Sequence, residues 1–145
     1  MENKKRVFFF CMMLLCINCI SVFAKKGTQT LREFNWEPII AAIIAVESNG
    51  NPNARSGKSV GAMQITPILV AECNRILEKR KSKKRYTLSD RLSVSKSKEM
   101  FLLFQSFYNP HNNVELAIRS WNGGMNYSVK GTQRYLQKVM KAMKK

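Results

Sequence analysis

Apolar positions recur every three or four residues through most of the chain, and polar stretches rich in Asn, Gly, Ser and Pro separate the segments that show this period. Ile39, Ile40, Ile43, Ile44 and Val46 predict a strongly apolar helix, with Asn35 as N-cap, Glu37 and Pro38 in its first turn and Gly50 ending it. Residues 49–59 have hardly an apolar side chain and predict a loop, after which a compact helix is expected around Val60 to Ile65. Pro67 can open the next helix, where Ile68, Leu69, Ala71, Ile76 and Leu77 keep helical spacing. A further helix is expected from about Ser95 to Tyr108, stopped by Asn109-Pro110. Asn113 can cap another, which carries Val114, Leu116, Ala117, Ile118 and Trp121 to Gly123-Gly124, and Thr132 is expected to cap a last one with Tyr135, Leu136, Val139 and Met140. No segment sustains a two-residue alternation, so the expected fold class is all-α, a single helical domain with at most a short β-hairpin.

The N-terminus breaks this pattern. Lys4, Lys5 and Arg6 precede an uninterrupted mostly apolar run from Val7 to Val22 that ends in Val22-Phe23-Ala24, the layout of a secretory signal peptide with a small residue at the cleavage site. The run, about 16 residues, falls short of the roughly 20 that span a bilayer. The organisation expected is therefore residues 1–24 as a signal peptide, 25–33 as a basic flexible leader and 34–145 as the domain, exported to the periplasm or cell envelope. Leu15 before Cys16 and Asn18 before Cys19, where lipidation needs a small residue, leave a lipoprotein reading open but without support. Three of the four cysteines leave with the signal, so the exported domain keeps only Cys73, forms no internal disulfide and depends on packing. Cys73 sits in an apolar pattern and reads as a buried small hydrophobe.

The chain carries a formal charge of +16, most of it outside the signal segment. Export turns the expectation from nucleic acid to anionic wall polymers, headgroups or an acidic partner. The run Lys79 to Arg85 reads first as a solvated connection and second as an anion-binding patch. His111 stands alone in a turn, giving no basis for a metal site, and no cofactor is implied.

The chemistry is concentrated in Glu47-Ser48-Asn49-Gly50-Asn51-Pro52-Asn53-Ala54-Arg55-Ser56, followed by Val60-Gly61-Ala62-Met63-Gln64-Ile65-Thr66-Pro67. A carboxylate ends an apolar helix, where the helix dipole raises its pKa and burial, if the side chain is half buried, raises it further. Gly61 allows close backbone approach, and Gln64 offers an amide that can read hydroxyl or acetamido groups. Taken together and in this order, these residues resemble the signature of the family 1, Slt-type, lytic transglycosylases of the lysozyme-like superfamily. Arg119-Ser120-Trp121-Asn122-Gly123-Gly124 is similar to a second family element, and Tyr135-Leu136-Gln137-Lys138-Val139 to a closing one, so the resemblance spans roughly residues 34 to 140.

The resemblance implies a lysozyme-like helical domain that cleaves the MurNAc-GlcNAc β-1,4 bond of peptidoglycan without water, leaving 1,6-anhydroMurNAc ends. By position it implies Glu47 as the catalytic residue, Ser56 as a loop serine near the reacting sugar, Met63 and Gln64 as groove residues contacting the glycan, and Asn122 as the motif asparagine. Trp121 stands where the family usually has a tyrosine whose hydroxyl bonds the catalytic carboxylate, and an indole N–H can only donate. A rival within the enzymes is a two-carboxylate muramidase using Asp90 or Glu115 with water, and outside them a catalytically silent glycan-binding envelope protein. A third reading, a nucleic-acid or membrane binder, rests on charge alone. The expected partners are peptidoglycan glycan strands, with a monomer as the working unit, and the bare single domain is analogous to enzymes that serve a secretion, conjugation or pilus machine.

Overall fold

A computed structural model describes residues 34–144; the segments 1–24 and 25–33 singled out above lie outside the described residues. In chain order the elements are helix α1 (Glu37–Ser48), the two-residue strands β1 (Arg55–Ser56) and β2 (Ser59–Val60), helix α2 (Pro67–Lys79), a 3₁₀ helix (Leu88–Leu92), and helices α3 (Val94–Tyr108), α4 (Val114–Gly123) and α5 (Val129–Ala142). The fold is all-α with one small antiparallel hairpin, Arg55 opposite Val60 and Ser56 opposite Ser59.

Each helix begins where a polar side chain or proline relieves its unpaired N–H groups. Asn35 Oδ1 accepts from Glu37 N at 3.0 Å, yet the helix begins one residue later than expected, with Trp36 at the cap position. Thr66 Oγ1 accepts from Leu69 N ahead of Pro67, Ser93 Oγ from Lys96 N, and Asn113 Oδ1 from Leu116 N. At α5 the cap is Ser128, whose Oγ accepts from Gly131 N at 2.8 Å, and not Thr132. Thr132 lies inside the helix and is buried, because Arg119 claims its hydroxyl at 2.9 Å. α1 ends on Asn49 and Gly50, both at positive φ (52° and 84°), a turn that reverses the chain into the loop.

The second correction concerns residues 60–65. They form no helix: Val60 and Ile65 exchange two backbone hydrogen bonds (3.1 and 2.9 Å) across a tight turn whose corners, Gly61 (φ 85°) and Gln64 (φ 51°), are both left-handed. A Cβ at Gly61 would fall 1.8 Å from the carbonyl oxygen of Arg91, so the turn fits against the 3₁₀ helix only with glycine there.

The core gathers Ile40 and Ile43 of α1, Met63 and Ile65 of the turn, Cys73 of α2, Met100 and Phe101 of α3, Ile118 of α4 and Val139 of α5, all essentially without solvent exposure. Phe101 is its centre, with the rings of Trp36 and Trp121 5.6 and 5.2 Å away. Cys73 is buried as expected, and burial pushes its thiol up to about 12. α5 lies against both α4 and α1, which brings the end of the chain to the helix that carries Glu47.

Candidate active site

Glu47 is the penultimate residue of α1 and is half-buried. Ser48 beside it donates through Oγ to the carbonyl of Ala62 at 2.8 Å, tying the end of α1 to the 61–64 turn. Tyr135 of α5 donates its hydroxyl to Glu47 Oε1 at 2.6 Å. Burial raises the Glu47 pKa above the ordinary 4.5, and the Tyr135 hydrogen bond works against it less strongly. Burial first, and the neighbouring carboxylate second, push the Tyr135 hydroxyl far up, so it stays a proton-bearing donor. The arrangement is a carboxyl group held in one orientation in a partly dry setting that favours its protonated form relative to a free carboxyl.

Tyr135 was not singled out from the sequence as a site residue. Its signal was the helical pairing with Val139, four residues on and fully buried, which turns both side chains inward. Trp121 does not take the role of the usual tyrosine at its position. Its Nε1 donates to the carbonyl of Met63 at 3.2 Å and its ring packs on Phe101, so it braces the turn from behind.

Of the other expected residues, Gln64, Trp121 and Asn122 come together along a cavity of about 400 Å³, with Thr66, Leu69 and Glu72. Gln64 is pinned by its own Nε2, which donates to Gly61 O at 2.9 Å. Met63 is a correction: its side chain is fully buried in the core and cannot touch a glycan, and only its carbonyl serves the site, as the acceptor for Trp121. Ser56 is exposed on β1, and no hydrogen bond joins it to Glu47. Glu47 itself is not part of the cavity lining.

The cavity holds one carboxylate that sequence reasoning passed over. Glu72 takes two hydrogen bonds from Arg75, at 2.8 and 2.5 Å, and one from the Tyr108 hydroxyl. Arg75 above all holds Glu72 below the usual carboxylate range, so it is an ionised, neutralised group and a poor proton carrier. The two carboxylates weighed as partners for Glu47 are committed elsewhere. Asp90 accepts from Thr87 N at 2.7 Å at the start of the 3₁₀ helix, and Glu115, largely exposed, accepts from Arg119 Nε at 2.7 Å.

Compared with known proteins, the chain matches the family model described as Transglycosylase SLT domain over residues 26–144. No curated protein matches it.

Proposed function

The chain belongs to the transglycosylase SLT domain family, lysozyme-like lytic transglycosylases that act on peptidoglycan, and on that premise we propose that Glu47 alone serves as acid and then base in a non-hydrolytic cleavage. The observation that carries this reading is the Glu47–Tyr135 pair: one half-buried carboxyl, pKa raised, oriented by a phenol and without a second free carboxylate bonded to it.

Breaking the MurNAc-GlcNAc β-1,4 bond requires a proton on the leaving oxygen and a nucleophile for the oxocarbenium-like carbon. Protonated Glu47 gives its proton to the glycosidic oxygen as the C1–O bond breaks. The C6 hydroxyl of the same muramic residue then closes on C1, and the Glu47 carboxylate takes that hydroxyl's proton. The carboxyl returns to its starting state, and the product ends in 1,6-anhydroMurNAc. Positioned acid–base action of this kind contributes about 10² to 10⁴ in rate. Gln64, Trp121 and Asn122 form the wall against which the sugars lie, and Ser56 stands on the hairpin beside the loop that follows Glu47.

A two-carboxylate hydrolase is disfavoured because Asp90 and Glu115 already hold structural bonds. The same reading takes residues 1–24 as an export signal and the periplasm or envelope as the place of action, with local wall opening for a secretion, conjugation or pilus machine as the role proposed. The test is mass spectrometry of the soluble products of peptidoglycan digestion. Anhydro ends, about 18 Da lighter than reducing ends through the loss of one water, are expected. Reducing ends would return attention to Asp90 and Glu115, and no products would favour a silent glycan-binding protein.

A further inference from the structure

Helix α5 turns Thr132, Tyr135 and Val139 inward and leaves its other side to solvent. On that side stand Lys130, Arg134, Lys138 and Lys141, all exposed. At 100° per residue they fall within roughly an 80° arc and run about 16 Å along the helix. None of the four pairs with a carboxylate among the described residues, and the sequence has no Asp or Glu after Glu115.

Folding gains little from this stripe. Lys130, Arg134 and Lys138 are spaced i, i+4, where like charges repel along a helix. Lys130 also sits in the first turn, at the positive end of the helix dipole, with the Arg119 guanidinium on the carbonyl of Val129 close by. Only Lys141, in the last turn, is placed where the dipole favours a cation. Two exposed apolar side chains, Val129 (63% exposed) and Met140 (40%), lie eleven residues apart, three helical turns, and so share one flank of α5, about 80–100° round from Lys130 with the exposed Gln133 and Gln137 between.

We infer that the outward face of α5 docks the protein on an anionic membrane surface. A row of cations matches anionic headgroups, and the apolar flank can enter the boundary between headgroups and acyl chains with Lys130 and Lys141, about 80–120° round from it, at headgroup level, which a purely phosphate-rich polymer would not reward. Another side of the same helix carries Tyr135, bonded to Glu47, so docking here would hold the site at a fixed height above the bilayer.

The test compares two charge-matched variants of the full chain in vesicle co-sedimentation, one Lys130→Gln/Arg134→Gln/Lys138→Gln and the other Lys81→Gln/Lys83→Gln/Arg85→Gln in the basic connection. Vesicles contain phosphatidylglycerol with phosphatidylcholine, or phosphatidylcholine alone. The readout is the ratio of the two affinities, because the apolar run at residues 7–22 can bind either bilayer. Each headgroup contact contributes about a factor of five, so the α5 variant is expected to lose on the order of 100-fold in that ratio and the connection variant little. Equal losses in the two variants would overturn the inference, since charge would then act without regard to place. It would also be overturned if the α5 variant kept its vesicle preference and lost binding to isolated peptidoglycan instead, which would assign the face to the wall polymer.

Discussion

Tyr135 and Glu47 are 88 residues apart in sequence and 2.6 Å apart in space, with the phenol donating to the carboxylate. This hydrogen bond favours the charged form of Glu47, against the stronger effect of burial. Catalysis by the proposed route needs the protonated form, so activity should fall as pH rises through the Glu47 pKa. Tyr135→Phe removes the opposing influence and raises that pKa further. The descending limb of the pH–rate profile should therefore move to higher pH, with a drop of about tenfold at the optimum from the lost orientation. A limb that stays in place, measured on soluble glycan chains, would separate Tyr135 from the titration of Glu47.

Glu47→Gln should keep the fold and glycan binding and lose at least about 10²-fold in turnover. It should also change stability in a pH-dependent way. The folded carboxyl titrates above the unfolded value of 4.5, so between those two values the native state holds a proton the unfolded chain has released. Native stability is then lost as pH rises from about 4.5, and the amide variant escapes that loss. Thermal melts should show little difference between the two proteins at acid pH and a more stable variant near neutrality.

Asp90→Asn and Glu115→Gln should each retain activity within a few-fold of the parent, because these carboxylates serve Thr87 and Arg119. A loss comparable with that of Glu47→Gln, in the same digestion assay, would establish a two-carboxylate mechanism.

Gly61→Ala should be among the most damaging single changes outside the site. The new methyl would meet the Arg91 carbonyl and force a side chain into a left-handed residue, for a loss of about 3 kcal/mol. Its melting temperature and the yield of soluble protein report this directly.

Arg119 is buried, and its guanidinium reaches Glu115, the Val129 carbonyl, Thr132 and Gln133 at 2.7 to 2.9 Å. Arg119→Met should leave several of these without partners and lower the melting temperature by roughly 10 °C or more. Arg119→Lys should not restore it, since an ammonium cannot present the planar fork.

The helices were legible from helical spacing, but not always their buried stripe: α2 buries Val70, Cys73, Ile76 and Leu77, whereas Ile68 and Ala71, counted on its apolar side from the sequence, are exposed. Residues 60–65 misled because Val60, Ala62, Met63 and Ile65 are buried in a turn closed by two left-handed corners, so their apolarity carries no period. Thr132 and Ser128 are equally good caps in isolation, and only Arg119, thirteen residues from Thr132, decides between them. Gln64, Trp121 and Asn122, which the structure brings to one cavity, were singled out through local motifs, as was Glu47. Met63 was misassigned because a motif does not say whether a side chain or its carbonyl does the work. Tyr135 was missed because its importance is a long-range contact.

The 88-residue gap between Glu47 and Tyr135 has a temporal meaning as well. A polypeptide is made from its N-terminus, so Glu47 is synthesised long before α5 exists to orient it. A chain still being made, or one cut before α5, carries its acid without the phenol that aims it. On the mechanism proposed above, full activity would therefore wait on the docking of α5 against α1.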